Sequence, residues 1–305
     1  MKALEQHPRS LGVFCSLSGY TRQAYYQHID ALQREALQSE LIIQEVVRIR
    51  RTQKKVGARK LLVMMKNFFQ QHHIQIGRDA FFELLREQGL LIRKSRRSKP
   101  QTTWSNHWLR KYPNGIRNFI PTAAGQLWVS DITYIHIGAS FAYLSLITDA
   151  YSRKVVGFYL SEDLSARGCI AALKMALKNH PAIEKLIHHS DRGVQYCSSD
   201  YVALLEKRSI KISMTENGDP LENAIAERVN GILKEELLEE VYASFTEARQ
   251  AVAIAISTYN YQRLHSSIDM LTPAEAHLKT GILKKHWKNY SNSTTKQKEV
   301  AMAAS

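Results

Sequence analysis

Cysteine is scarce in this sequence, and long apolar runs are absent. Its 305 residues include only three cysteines, Cys15, Cys169 and Cys197, which are far apart and form no C-x-x-C pair. This spacing argues against a disulfide framework and a cysteine-rich zinc site, and it indicates a reducing compartment such as the cytoplasm. The most apolar early run, residues 61–69, contains Lys66 and is too short to cross a membrane. The first nine residues are polar and charged, unlike a secretory signal, so we expect no membrane partner.

Positive charge is plentiful, and it is concentrated in the first part of the chain. The net charge is +14; residues 1–120 contain 22 Lys and Arg against 8 Asp and Glu, whereas residues 121–305 contain 20 of each kind. This asymmetry predicts a basic module that meets a polyanion, followed by a module with another task. Nucleic acid is the favoured polyanion, because clustered Lys and Arg neutralise phosphates. The alternative is a merely soluble basic domain.

The first 92 residues have the periodicity of helices. Residues 18–21 predict a turn and a helix start that leads into residues 22–26, and an amphipathic stretch follows over 31–51. Apolar spacing predicts another helix over 58–71 and a further one that opens near Ile76 and ends at Gly89. Helices separated by glycine-containing turns are typical of an all-α helix-turn-helix region that binds DNA. A plain three-helix bundle gives the same pattern, and only the basic surplus favours DNA binding.

Residues 93–118 form a predicted basic linker. Its first eight residues carry five positive charges, no negative charge and a terminal proline. We expect this linker to lie along a phosphate backbone through Arg93, Lys94, Arg96 and Arg97. The alternative is a solvated connector.

The sequence pattern of the second half of the chain is typical of an α/β domain. Strands are predicted over 127–135, 141–148, 154–160, 186–191 and 210–214, and helices over 166–178, 198–207, 221–240 and 245–262. This order predicts a ribonuclease H-like core over 119–280, with a mixed five-stranded sheet and flanking helices. Residues 281–305 are expected to be a polar, disordered tail.

Three carboxylates occupy informative places in this domain. Asp131 lies within the first strand, Asp191 lies at the carboxyl end of a later strand, and Glu227 lies on a helix. Strand ends that are neighbours in space are where sites collect in open α/β sheets. On the helix, Asn223, Glu227, Asn230 and Lys234 share one face, opposite an apolar stripe. We interpret this as an open face that presents Glu227 to the site; the alternative is an ordinary solvated face.

Carboxylates suit a hard, oxygen-seeking ion such as Mg²⁺, with Mn²⁺ as a substitute. Two such ions can activate a hydroxyl and stabilise a leaving oxygen during phosphoryl transfer. His188 and His189 are adjacent on a strand, so we expect one to face the core and the other the rim of the site, with neither binding metal. The aromatic residues expected to pack in the core, and not against bases, are Trp128, Tyr134 and Tyr196.

Several segments resemble the "insertion sequence three" family of bacterial transposases, over most of residues 56–275. They are W-x-x-D-I-T-Y-I at 128–135, H-S-D-R-G-x-Q-Y at 189–196, N-A-x-x-E at 223–227, Y-N-x-x-R-x-H at 259–265, T-P at 272–273 and, upstream, G-x-R-K-L at 57–61. Each segment alone is moderately specific, but their order and spacing together are highly specific.

The resemblance implies an integrase-type core whose metal triad and catalytic residues are Asp131, Asp191 and Glu227, and an enzyme that cleaves and transfers DNA strands at insertion-sequence ends. It also implies that Lys234 contacts DNA. The further DNA contacts predicted are Asn223, Arg59 and Lys60. The expected partners are the terminal inverted repeats, target DNA, further copies of the chain and the product of an upstream reading frame, in the bacterial cytoplasm at the nucleoid.

This sequence departs from the family's pattern at two places near Glu227. Glu222 stands where an Asp usually precedes the Asn-Ala pair, and Arg228-Val229 stands where Ser-Phe is frequent. A retroviral-type integrase is a second interpretation, but His72-His73 is followed by no cysteine pair. A decayed, DNA-binding regulator is a third, which the presence of all three carboxylates disfavours.

Overall fold

The computed structural model describes residues 11, 12, 15, 17, 19–92, 107–117, 119–181, 185–216 and 223–286. The chain divides into two compact units, residues 1–93 and 94–305. Arg93, Lys94, Arg96 and Arg97, for which we predict phosphate contacts, lie outside the described residues. In the part of the chain that is described, no helix is both long enough and apolar enough to span a membrane.

The first unit is helical, as predicted. Its helices are α1 (Arg22–Arg50), α2 (Ala58–Met64), α3 (Lys66–Gln71) and α4 (Arg78–Glu87). Helix α1 begins at Arg22, directly after the predicted helix start, and the Thr21 side chain caps it by accepting a hydrogen bond from the Ala24 N–H at 3.1 Å. The single helix predicted over 58–71 is instead broken at Met65. The buried core of this unit consists mainly of Ile42, Val46, Ile49, Leu61, Met65, Phe81 and Leu85.

The second unit is built on a six-stranded mixed sheet. The strands are β1 (Leu127–Ile137), β2 (Ser140–Asp149), β3 (Val155–Ser161), β4 (Ile187–Ser190), β5 (Lys211–Met214) and β6 (Val241–Tyr242). Their order is β3-β2-β1-β4-β5, and β6 pairs with β1. Strands β1, β2 and β3 are antiparallel neighbours, whereas β4 and β6 run parallel to β1, and β5 runs parallel to β4. The five predicted strands are all present; β6, with two residues, is too short for an alternating pattern to reveal.

Helices cover both faces of the sheet. They are α5 (Ala166–Asn179), α6 (Val194–Cys197), α7 (Ser199–Glu206), α8 (Ala224–Ile232), α9 (Phe245–Tyr261) and α10 (Pro273–His277), with a π-helical turn (Leu233–Leu237) directly after α8. Successive residues of β1 point to opposite faces. Trp128 packs in the cluster that contains α5 and α7, and Ile135 packs in the cluster that contains α8 and α9. This two-sided burial confirms the predicted ribonuclease H-like α/β core.

Two segments predicted to lie outside the core are bonded to it. In the predicted linker, the Gly115 N–H donates to Ser213 Oγ of β5 at 2.9 Å. In the predicted tail, the Gly281 N–H donates to the Thr122 carbonyl at 2.7 Å, and the Asp269 N–H donates to the Lys284 carbonyl at 2.8 Å. Residues 281–286 therefore pack as part of the second unit, and residues 287–305 lie outside the described chain.

Replacing Gly157 with alanine is expected to destabilise the second unit. A Cβ atom at this position of β3 would collide with the Ala172 carbonyl and the Ala176 side chain of α5. Because both are parts of a packed helix, they cannot move aside cheaply, and we expect the free energy of unfolding to fall by about 2 kcal/mol. Urea unfolding measures the change.

Gly231→Ala is the matched control for this substitution. Gly231 lies in α8, and a Cβ atom there would meet nothing within 4 Å. Since alanine favours a helix over glycine, the unfolding free energy should stay unchanged or rise by up to about 1 kcal/mol. Equal effects of the two substitutions would show that the contact between β3 and α5 is not the cause.

Candidate active site

The pairing of β1 with β4 places two of the predicted carboxylates side by side. The two strands run parallel, and Leu127, Trp128 and Val129 pair with Ile187, His188 and His189 in turn. The same register continued for two residues brings Asp131 beside Asp191, which follows the end of β4 directly. Asp131 and Asp191 are both half-buried. The chain therefore presents two carboxylates at the carboxyl end of β4.

Along the edge of β1 that pairs with β4, the residues after Val129 have a helix as their neighbour in place of a strand. In the described chain, β4 pairs with β1 up to Val129, β6 pairs with it from His136, and no strand pairs with residues 130–135 on that side. Helix α8 closes this gap. The Asn223 side-chain amide, just before α8, donates to the Ser130 carbonyl at 3.0 Å. The helix thus satisfies backbone groups that a strand would otherwise bind.

Helix α8 also holds the carboxylate of Asp131. The Asn230 Nδ2 atom donates to Asp131 Oδ2 at 2.8 Å, and the Ile132 N–H donates to Asp131 Oδ1 at 2.9 Å. Glu227 lies between Asn223 and Asn230 on the same helix face, and it is exposed. The two asparagines of this face are buried against β1, whereas Glu227 is exposed. Asn223, for which we predict a DNA contact, is bonded to the sheet through the Ser130 carbonyl.

Electrostatic repulsion links the three carboxylates. The pKa of Asp131 is raised to about 7, chiefly by burial and next by the nearby charge of Asp191. The hydrogen bonds from Asn230 and from the Ile132 N–H oppose the rise, and Glu227 adds a smaller upward contribution. A carboxyl that keeps its proton near neutral pH for these reasons lies in a place that favours a cation. Among the described residues, no three His, Cys, Asp or Glu side chains already form a compact metal-binding group.

Asp191 is held by the turn that follows β4. The Gly193 N–H donates to Asp191 Oδ1 at 3.0 Å. A Cβ atom on Gly193 would lie 3.0 Å from that oxygen and 3.1 Å from Gln195 Oε1, so a side chain there would press on the carboxylate. The Asp-Arg-Gly order therefore has a local reason: the glycine lets the backbone approach and orient the acid.

Both histidines of β4 are structural. His188 and His189 are fully buried, so the expectation that one lies at the rim of the site was wrong. His188 Nε2 lies 2.7 Å from Ser130 Oγ and 2.9 Å from the Tyr201 hydroxyl, and His189 Nδ1 lies 2.8 Å from Ser213 Oγ. Burial lowers the pKa of His188 to about 3, which keeps the ring neutral. All four residues of β4 are buried, and the strand lies in the interior of the sheet, between β1 and β5.

Lys234 lies in the π-helical turn, beyond Glu227. Its ammonium nitrogen is 3.5 Å from the centroid of the Tyr134 ring, so the two side chains form a cation–π interaction. Tyr134 is half-buried, whereas Trp128 and Tyr196 are buried core residues as expected. In the first unit, Arg59 is exposed and Lys60 is half-buried on α2.

Part of the predicted basic linker lies beside Asp191. His107 Nε2 lies 2.8 Å from the carbonyl of Arg192, so residues 107–111 run next to the turn that holds Asp191. Trp108 in this segment is 91% exposed, and Arg110 and Lys111 follow it. We name residues 107–111 the basic strip. The signal that the sequence offers is a tryptophan close to two cations, with no acidic residue among positions 107–111.

Comparisons with known proteins agree with this architecture. Two family models described as "Integrase core domain" match residues 121–220 and 208–273. The "Insertion element IS600 uncharacterized 31 kDa protein" of Shigella sonnei is 32% identical over 267 residues, covering 85% of this chain and 96% of that protein. The transposase for insertion sequence IS3A of Escherichia coli is 32% identical over 194 residues, covering 63% and 67%. The catalytic core of HTLV-2 integrase, in complex with magnesium, superposes with a TM-score of 0.41 and 19% identity over 53% of this chain and 99% of that chain.

Asp131→Asn is expected to stabilise the metal-free protein by an amount that grows with pH. The carboxyl has a pKa of about 7 in the folded chain against an ordinary value of 3.8. Between these values the unfolded chain loses the proton while the folded chain keeps it, so the wild type loses stability relative to the variant as the pH rises. Above about pH 7 the difference should be constant. Urea unfolding with a chelator present, at several pH values, measures it.

Asp163→Asn provides a control of opposite sign. Hydrogen bonds from Ser165 lower the pKa of the exposed Asp163 carboxyl. That acid stabilises the fold above its ordinary pKa, and its contribution is lost as the pH falls through the folded pKa. The amide should therefore be neutral or slightly destabilising near neutral pH. A benefit of Asp131→Asn that does not change with pH would contradict the assigned repulsion.

Proposed function

Because this chain belongs to the insertion-sequence-three family of bacterial transposases, we propose that it cuts DNA strands at the ends of an insertion sequence and joins them to target DNA. The observation that carries the proposal is the register of β1 and β4, which sets Asp131 beside Asp191 next to the helix that bears Glu227. Three carboxylates at one opening of an α/β sheet suit phosphoryl transfer assisted by divalent cations.

The donor set suits a hard divalent cation. Carboxylate oxygens are the ligands that Mg²⁺ prefers, and Mn²⁺ accepts them too. Asp131, Asp191 and Glu227 would hold two such ions, which when bound supply charge stabilisation to the attacking and leaving oxygens. The raised pKa of Asp131 supports this assignment, since mutual repulsion of the carboxylates is what a cation would relieve.

The chain's own groups prepare this site in two ways. Both oxygens of Asp131 accept hydrogen bonds, from Asn230 and from the Ile132 N–H, and Asp191 accepts one from the Gly193 N–H. Two carboxylates are therefore oriented before any ligand arrives. Glu227 is exposed and keeps the freedom to adjust. Such an arrangement lets substrate phosphates and cations complete the site together.

We assign DNA binding to three places. Lys234 would contact a phosphate near the reacting one, because lysine is a point charge on a long stem that needs no strict geometry. The basic strip would hold the strand beside Asp191. The helical first unit, with Arg59 and Lys60 on α2, would bind the element ends as a helix-turn-helix module, with the cations of residues 93–97 along the backbone. Assembly of further copies on DNA, and fusion with an upstream product, are part of the same proposal.

Nicking and joining of a labelled duplex that carries the element's own ends tests the catalytic assignment. Asp131→Asn, Asp191→Asn and Glu227→Gln should each lower the Mg²⁺-dependent rate by roughly a hundredfold or more while gel-shift affinity persists. Glu235→Gln, which changes an exposed carboxylate of the neighbouring turn, should keep the activity. Activity that survives all three substitutions would refute the triad, and ends that are bound but never nicked would indicate a regulator.

The salt dependence of DNA binding tests the basic strip. Replacing Arg110 and Lys111 together by alanine should reduce the slope of log affinity against log salt by roughly 2, since two phosphate contacts are lost. Trp108→Ala should weaken binding with little change of slope, because a stacked ring releases no counterions. The control is the pair Lys174→Ala and Lys178→Ala on the exposed face of α5. An equal loss of slope in the control pair would show only an effect of net charge.

A further inference from the structure

The helix that carries Glu227 changes its winding directly before Lys234. Regular α8 ends at Ile232, and residues Leu233–Leu237 form a π-helical turn, in which the Leu238 N–H donates to the Leu233 carbonyl at 2.8 Å. Wider turns of this kind are rare and occur frequently at functional sites. This one leads from α8 toward β6, which pairs with β1 at His136 and Ile137. Lys234 lies in the turn, and its ammonium nitrogen is 3.5 Å from the centroid of the Tyr134 ring.

A buried arginine just after α9 forms an ion pair with the π-helical turn. Arg263 follows α9, and its side chain is only 3% exposed. Its Nε and Nη2 atoms donate to Glu236 Oε2 and Oε1, each at 2.8 Å, so the contact is bidentate. Glu236 lies in the π-helical turn, two residues beyond Lys234. The planar guanidinium therefore fixes both the position and the orientation of the turn.

The arginine is itself held in place. Its Nη1 atom donates to His265 Nε2 at 2.8 Å, and the His265 N–H donates to the Leu271 carbonyl at 3.0 Å. Preceding residues tie the end of α9 to the sheet: the Tyr259 hydroxyl donates to the Arg153 carbonyl at 3.0 Å, and the Asn260 amide exchanges two hydrogen bonds of 2.9 Å with the backbone of Val155. A continuous set of contacts thus runs from β3 to Glu236.

Stability alone is a poor explanation for this ion pair. Charges taken out of water lose hydration that their attraction repays only in part, so apolar residues often serve a core equally well. A bidentate contact has the merit of selecting one geometry. We propose that the Arg263–Glu236 pair is a positioning device that holds the π-helical turn in register, so that Lys234 lies over Tyr134, within the stretch of β1 that no described strand pairs with on that side. This inference rests on the proposed function, in which Lys234 contacts DNA.

Two substitutions weaken the contact in different ways. Glu236→Gln keeps the shape of the side chain but removes its negative charge. Arg263→Lys keeps the positive charge but removes the planar guanidinium that makes two parallel hydrogen bonds. If the pair positions Lys234, both should move the ammonium away from Tyr134. The NMR signal of the Lys234 ε-methylene, assigned by its loss in Lys234→Ala, carries a ring-current shift from Tyr134 in the full-length protein. That signal should move toward the position of an exposed lysine in both variants.

A double-mutant cycle on DNA affinity separates positioning from general damage. Glu236→Gln should weaken binding of the element ends by roughly tenfold in the wild type, as loss of one charged contact does. It should have no further effect in Lys234→Ala. Glu275→Gln, which removes the carboxylate that caps α10, is the control for lost stability and should leave the Lys234 signal unchanged.

The outcomes distinguish this inference from the proposed function. An unmoved Lys234 signal in both variants, or an affinity loss that adds fully to that of Lys234→Ala, would overturn the positioning role. Normal DNA affinity in Lys234→Ala would instead refute the proposed contact of that lysine with DNA, and the NMR shift would still decide whether the ion pair positions it.

Discussion

The parallel pairing of β1 with β4 is the constraint on which the site depends. Strand β1 is long, and its partners on one side are short. Strand β4 pairs with β1 only up to Val129, and β6 pairs with β1 only from His136 onward. Backbone groups of β1 between them require other partners, because buried amide and carbonyl groups are costly to leave unbonded. The helix in this gap carries Glu227, whose charge acts on Asp131. The arrangement of these carboxylates thus follows from an incomplete strand pairing.

Asparagine side chains make that closure specific. Asn223 reaches the Ser130 carbonyl, and Asn230 reaches Asp131, so the helix is held at two points about two turns apart on one face. Apolar packing on the opposite side, through Val229 and Leu233, sets the depth of the helix but not its register. The polar contacts select the register, as buried hydrogen bonds do elsewhere in protein cores. The ion pair at Glu236 extends the same control to the turn beyond.

Much of the core could be predicted because its local patterns and its tertiary structure agree. The strand that contains Asp131 is rich in β-branched and aromatic residues, and the helices of 166–178 and 245–262 have regular apolar spacing. Elements that depend on remote partners could not be predicted in this way. Strand β6 has two residues and exists because β1 pairs with it, and the π-helical turn keeps the composition of an ordinary helix.

The sequence by itself determined the chemistry that is available: carboxylates at a strand interior, a strand end and a helix face, and a surplus of positive charge in the first 120 residues. Periodicity assigns each of them to an element, since period and propensity are local properties. Only the tertiary structure decided which groups are buried. It buries both His188 and His189, of which the strand pattern predicts that only one faces the core, and it buries Asn223 on the polar face of its helix. The reason is that burial depends on what packs from outside the element, and those neighbours are distant in sequence.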